Sequence, residues 1–309
     1  MADRSNARAT LAAMSQGEAA VSIRHSSAGL SSLALLRQGV TDILSRRRLV
    51  RYLVNADMKK RGSDTLLGNL WWVLDPILQM VVYVIFVTII GRGGRVPDYP
   101  LFIFAAILPW KWFSAVIGDA TTSVVSRDRL IRGIAFPKLV LPVSTTTAGV
   151  VGFAWGLVPL GALLLLHPHR LSIMLLWIPV IAAVQYVFTL GAAILVSAAN
   201  VFFRDLGNAI GHALRLWWFL SPGLYSLAWL DDLKIFKDNP ALGFLAGLNP
   251  FAVLFEAYRN VIYGSGDGKL GPHPPDLIAL FILLVASLVF VAICILFFKR
   301  VEPDFAKVL

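Results

Sequence analysis

Charge is scarce in this sequence. Asp, Glu, Lys and Arg make up 15% of its 309 residues and apolar side chains 57%, against roughly 25% and 45–50% in soluble domains. That balance excludes a disordered chain and an ordinary soluble domain. Cysteine is nearly missing: Cys294 stands alone in an apolar run, so no intramolecular disulfide can form and the thiol reads as buried and structural. Metal ligands are equally thin. His167 and His169 bracket a proline, His212 and His273 stand apart, and no clustered Cys or carboxylate supplies a metal shell. No cofactor is expected on this chain.

What is present is long apolar runs. Six segments, at about 70–90, 100–124, 139–166, 172–199, 211–230 and 277–298, are long enough at 1.5 Å rise per residue to cross a hydrocarbon core of about 30 Å. Pro76, Pro109, Pro159, Pro179 and Pro222 lie within or near them, which membrane helices tolerate when neighbours re-satisfy the backbone. The expected fold is all-α and polytopic. Residues 1–36 lack the apolar core of a signal peptide and read as a flexible cytosolic tail; residues 37–309 read as one membrane domain. Within it, residues 37–62 suggest an amphipathic helix on an anionic membrane surface, with Arg48, Arg51, Asn55 and Lys59 on one arc and Arg46 and Arg47 intruding. The stretch 228–275 is too apolar for a solvated loop, and its Phe251–Tyr263 run is shorter than a span. Short re-entrant helices at the outer interface fit it best.

Lys and Arg set the orientation, because positively charged loops stay in the cytoplasm. With the N-terminus inside, 20 of the 28 Lys and Arg fall on the cytosolic side and 7 outside, Lys111 lying within a span. Both termini are therefore expected in the cytosol. The net charge of +10 is then a matter of topology and nucleic acid is not an expected partner.

No fuel site is visible. Gly266, Gly268 and Gly271 form a nominal G-x-G-x-x-G, and Gly268-Lys269 resembles the end of a P-loop. A P-loop needs Gly at Tyr263 and Ser or Thr at Leu270, and a dinucleotide fingerprint needs a helix where Pro272-His-Pro-Pro275 stands. Carboxylates that could couple transport to ions are few, Asp75 and Asp119, and local pairing or reach to the interface is the plainer reading of both. Lys111, flanked by Trp110, Trp112 and Phe113, admits two readings: a snorkelling cation in an outer aromatic belt, or a residue lining a passage for a polar substrate. Trp71, Trp72, Tyr83, Trp217, Trp218 and Tyr225 fall within or near spans one and five, where packing and sugar stacking are both open to them.

In order along residues 40–305, several motifs resemble those of one family, the permease subunits of type-2 ABC exporters in the branch that exports O-antigen, teichoic acid and galactan. They are Leu67-Gly-Asn-Leu-Trp-Trp-Val-Leu-Asp-Pro-Ile77, Ile107-Leu-Pro-Trp-Lys-Trp-Phe113, Ala135-Phe-Pro-Lys-Leu-Val-Leu-Pro142, Asn200-Val-Phe-Phe-Arg-Asp205, Asn249-Pro-Phe251 and Tyr258-Arg-Asn260. Lys111 departs from the family, which has an apolar residue there.

The resemblance implies a homodimer of six-span subunits in the bacterial inner membrane. Each would engage a separate ATPase that holds ATP and Mg, exporting a lipid-diphosphate-linked polysaccharide. It implies a coupling helix in Ser126–Pro137, with Arg127, Asp128, Arg129, Leu130, Ile131 and Arg132 facing the ATPase. It also makes residues 37–62 an interface helix, on which Arg46, Arg47, Arg48 and Arg51 would take the lipid diphosphate by charge-assisted hydrogen bonds. Trp71, Trp72, Tyr83, Lys111, Trp112, Pro222 and Tyr225 become candidates for the pathway and its gate. A permease for a drug or smaller lipid, and a membrane enzyme acting on lipid-linked sugars, are the alternatives; the enzyme would need an Asp/Glu cluster that the sequence does not display.

Overall fold

The computed structural model describes residues 31–62, 67–90, 96–127, 136–226, 246–265 and 270–308, with Lys237, Asn239 and Gly243. Among them all regular structure is helical: α1 (Ser32–Ser45), α2 (Arg47–Gly62), α3 (Trp71–Ile90), α4 (Tyr99–Ser123), α5 (Val140–Leu166), α6 (Ile178–Phe202), α7 (Leu206–Leu220), α8 (Pro250–Ile262), α9 (Leu277–Val301) and α10 (Phe305–Val308). Among the described residues five helical segments are long and apolar enough to cross a membrane: α3, α4, α5, α6 with the 3-10 turn before it, and α9 with the turn after it. Their bounds lie within a few residues of five of the expected spans. Large apolar side chains on α3 and α9, such as Val82, Ile85, Ile278 and Phe281, are exposed, as suits a lipid-facing surface.

The centre is α4. Every residue from Leu101 to Trp110 is buried, and α3, α5, α6, α7 and α8 all pack against it. Some polar groups in this interior find partners within the bundle. The Gln185 amide of α6 donates to the Pro109 carbonyl at 2.8 Å. In the first turns of α5, Ser144, Thr145, Thr146 and Thr147 donate to carbonyls three or four residues back, and the Thr147 hydroxyl also meets the Tyr186 hydroxyl of α6 at 3.0 Å.

Two segments depart from the expected layout. The interface helix is a pair: α1 begins at Ser32, whose predecessor Ser31 accepts from the Ala34 N–H, and the chain leaves helical geometry at Arg46 before α2 starts. The fifth span, expected at 211–230, is α7, 15 residues long and rising about 22 Å. It stops at Ser221, held extended with ψ 149° because Pro222 disfavours the helical region for the residue before it. The turn that follows still reaches the end of the bundle where α4 starts, where the Leu224 carbonyl accepts from the Tyr99 hydroxyl at 3.3 Å. Residues 227–230 lie outside the described residues.

The short helix before the last span is there. Asn249 caps α8 by accepting from the Phe251 N–H at 3.0 Å, while its amide donates to Ser221 and its oxygen accepts from the Trp217 indole. Phe251 packs on Trp110 and Phe113 with centroids 4.8 and 4.7 Å away, so α8 starts deep in the bundle. It ends at the Asp98 end, where the Tyr263 hydroxyl donates to Pro97 and Gly264, at φ 108°, turns the chain.

At the opposite end a second core joins α1 and α2 to α5, α6 and α9 through Leu53, Leu139, Ile194, Cys294, Phe298 and Phe305. Cys294 is a buried free thiol, as expected. Lys299, 4% exposed, fastens this core: its ammonium meets Asp42 of α1 at 2.5 Å and Glu302 at 2.9 Å, while Glu302 also accepts from the Lys138 N–H. Removing one partner of a buried pair costs about 3–5 kcal/mol. Lys299→Met is expected to lower the unfolding temperature of the detergent-purified protein and to speed proteolytic cleavage within α1, whereas Lys299→Arg stays near wild type. Equal cleavage rates in all three would show that the cluster does not hold α1.

Candidate functional site

A cavity of about 530 Å³ opens between α3, α4 and α5, lined by Trp71, Trp72, Asp75, Lys111, Trp112 and Asp119 with Gly149, Gly152 and Gly156. Helical spacing makes the room. The three glycines recur every three or four residues and so share one face of α5. A Cβ at Gly152 would stand 1.6 Å from the Trp72 ring, one at Gly149 2.2 Å from Val116 and 2.9 Å from the Trp112 Nε1, and one at Gly156 2.2 Å from Leu108. The indoles therefore lie on bare backbone, and Trp112 also packs on Phe153 with centroids 4.8 Å apart.

Lys111 stands twelve residues from either end of α4, about 18 Å along the helix in each direction. That depth does not fit the outer aromatic belt, and the side chain lines the cavity. Its ammonium pairs with Asp75 of α3 at 2.5 Å, with the two side chains 29% and 59% exposed. The pairing of Asp75 bears out the plainer reading of that carboxylate, and the 36-residue separation is why no local motif signals it.

The other aromatic candidates divide. Tyr83 of α3 stacks on Trp218 of α7 at 5.7 Å and 20°, so the first span and α7 do meet. Trp217 and Trp218 belong with Trp110, Phe113, Phe251 and Phe255 in one core cluster, and Trp218 is 2% exposed. They are packing residues. Pro222 is buried in the turn after α7, and the Tyr225 carbonyl accepts from Arg259.

Arg259 itself is missed by a reading that counts it as a loop charge. It is 1% exposed, donates to the carbonyls of Tyr225 and Gly223, and lies over the Phe102 ring at 4.0 Å. Those carbonyls follow the C-terminus of α7, where the helix dipole favours a cation. The signal was its place within the apolar Phe251–Tyr263 run.

At the Asp98 end, Asp98 occupies left-handed geometry, φ 50° and ψ 38°, which Asp tolerates better than most residues. It accepts from Arg170 Nε at 3.1 Å and bonds His169 at 2.8 Å, and Arg170 also donates to the Tyr263 carbonyl. Burial pushes the Asp98 carboxyl up, but the hydrogen bonds and charges of His169 and Arg170 outweigh it and hold the group below the usual carboxylate range.

At the other end, Arg46, Arg47, Arg48 and Arg51 are all exposed on α1–α2. Arg127 is engaged within the chain, with its guanidinium 2.6 Å from Asp57 of α2. Asp128, Arg129, Leu130, Ile131 and Arg132 lie outside the described residues. Among the described residues no group of three His, Cys, Asp or Glu side chains could hold a metal ion.

These features define a polytopic α-helical membrane protein with a polar cavity set among its spans. No family model matches the chain. It is 30% identical over 268 residues to the O-antigen export system permease protein RfbA of Myxococcus xanthus, a match covering 87% of this chain and 98% of that protein. Two O-antigen export system permease proteins RfbA of Klebsiella pneumoniae are 25% and 24% identical over 262 residues, covering 84% of this chain and 95% of each relative. The chain belongs to the O-antigen export permease family, the type-2 ABC exporter branch that its motifs resemble.

Two outcomes follow from the geometry. Gly152→Leu is expected to push Trp72 off α5 and shrink the cavity, seen as a shifted tryptophan emission and loss of transport in a protein that still purifies as a folded species; unchanged emission would place the indole elsewhere. Because the Asp98 carboxyl is depressed in the folded state, its contribution is full above the ordinary carboxylate value and disappears as pH falls through the folded one. Protection from amide exchange in peptides covering 256–265, taken relative to the intrinsic rate at each pH, should therefore fall in acid. Asp98→Asn should raise the exchange at pH 7 and flatten that dependence.

Proposed function

We propose that this chain is the membrane subunit of an ATP-driven exporter that carries a lipid-diphosphate-linked polysaccharide from the inner to the outer leaflet of the bacterial inner membrane. The observation that carries this reading is the match to an O-antigen export permease along 98% of that protein's length. The finer parts rest on charge and geometry. Both termini lie in the cytosol, which puts the Glu302 end inside and the Asp98 end outside. Two copies pair, and two copies of a separate ATPase, holding ATP and Mg, dock at the cytosolic end. Transport is the chain's role and hydrolysis the partner's.

The segment Ser126–Pro137 serves as the coupling helix. Its first arginine, Arg127, is tied to Asp57, and α2 packs along α5, so a push on the segment moves the interface helices with it. Arg46, Arg47, Arg48 and Arg51, exposed on those helices, take the diphosphate of the lipid carrier by charge-assisted hydrogen bonds. The contact of Tyr83 with Trp218 supports sideways entry of the lipid between α3 and α7.

Purification in lipid nanodiscs with whatever associates is expected to bring down a P-loop ATPase, and hydrolysis by the complex should rise with lipid-linked glycan. Replacing Arg46, Arg47, Arg48 and Arg51 together by Gln should abolish that rise while leaving basal hydrolysis. A chain that transports alone, or that retains no ATPase, overturns the reading.

A further inference from the structure

The two interface helices are held by different parts of the bundle. α1 packs chiefly on α9, and three contacts fix it there. Asp42 is paired with the buried Lys299, Arg300 donates to the Ser32 hydroxyl at 3.1 Å, and a Cβ at Gly39 would stand 2.5 Å from Ile295, so the α1 backbone lies directly on α9. α2 is fastened elsewhere. It packs on α5, and Asp57 accepts from the Arg127 guanidinium at 2.6 Å, both side chains partly buried.

Arg127 and Lys138 bound the Ser126–Pro137 segment, and they are tied to different helices. Lys138 donates its N–H to the Glu302 carboxylate at 2.8 Å and its ammonium to the Glu302 carbonyl at 3.1 Å, and Glu302 is the second carboxylate on Lys299. The Lys138 end therefore shares the anchor of α1. A displacement of Arg127 relative to Lys138 acts on α2 first, while α1 stays with α9.

Between the two helices lies one non-helical residue, Arg46, at φ −100° and ψ 22°. Backbone hydrogen bonds run through it, from the Arg46 N–H to Asp42 and from the Val50 N–H to Arg46, so the change of direction is confined to that residue. A short break with tethers on both sides is the form a hinge takes. Arg46 is the joint itself, whereas Arg47, Arg48 and Arg51 ride on α2. Arg51 stands one turn from both Arg47 and Arg48, where like charges repel, and the spacing of the four guanidinium groups decides how many can reach one diphosphate.

We propose that the joint at Arg46 regulates the arginine cluster: movement of Arg127, passed to α2 through Asp57 while Lys299 holds α1 on α9, re-spaces Arg46 from Arg47, Arg48 and Arg51 and releases a lipid-linked diphosphate. Asp57 and Lys299 are positioning residues for that anion and act on it only through the helices they hold. The inference rests on the exporter reading for the ligand and for the force at Ser126–Pro137, and on the two tethers for where that force arrives.

Binding of fluorescent geranylgeranyl diphosphate to the complex in phosphatidylcholine nanodiscs, without nucleotide and with vanadate-trapped ADP, tests it. Trapping is expected to weaken binding at least fivefold in the wild type, since a carrier held equally in both states would not be released. Asp57→Asn should bind within twofold of wild type without nucleotide yet lose the difference between the states. The swap Asp57→Arg/Arg127→Asp rebuilds the pair in the opposite sense and should restore at least a threefold difference, which repair of a merely structural defect would not produce. Equal affinity in the two states of the wild type, a difference preserved in Asp57→Asn, or displacement of the probe when phosphatidylglycerol is added to the nanodisc overturns the proposal. The exporter reading fails differently, through a preparation that retains no ATPase or binds no diphosphate in either state, and this inference falls with it.

Discussion

The packing depends on a single helix whose first half has no free face. α4 is surrounded by α3, α5, α6, α7 and α8, and its first half, Leu101 to Trp110, is sealed. A helical segment sealed in this way must satisfy its backbone itself and present side chains that interlock on all sides. Aromatic rings meet that demand around Trp110, which touches Phe113, Trp217, Trp218, Phe251 and Phe255. The same requirement explains why α8 is short and buried: it plugs the space beside α4 that α7, ending at Leu220, leaves open.

Spans were readable in the sequence because lipid selects on composition alone. A run of twenty uncharged residues such as α9 has one stable fate in a bilayer, and five expected spans fall within a few residues of observed helices. The fifth misled because hydropathy does not register the Ser221–Pro222 break; Ser226 and its neighbours are apolar enough in context to extend the run, yet the backbone had already left the helix. The interface segment was readable as amphipathic but not as two helices, since the break at Arg46 involves neither Gly nor Pro.

The candidate site was legible in its members and not in its geometry. Lys111, Trp71, Trp72 and Trp112 stood out as unusual for a span and do line one cavity. The partner of Lys111, Asp75, and the glycine face of α5 did not connect to them, because both relations cross between helices and single-sequence periodicity speaks only within one. Arg127 shows the converse: it was read as facing a partner protein, and its guanidinium is used internally by Asp57.

Lys299, Arg259 and Lys111 are handled in three different ways, and the comparison clarifies the cavity. Lys299 sits between two carboxylates, 4% exposed, a geometry that fixes α1 to α9 and leaves no capacity for a ligand. Arg259 has its charge spread over two carbonyls and a ring, in the service of the turn it holds. Lys111 has one carboxylate, and both partners remain partly exposed to an open volume. An ammonium can donate three hydrogen bonds and a carboxylate accept about four, so this pair keeps unused valence turned toward space. Beside Lys299 and Arg259, a partly exposed ion pair facing an open cavity is the arrangement that keeps hydrogen-bonding capacity for an incoming polar group.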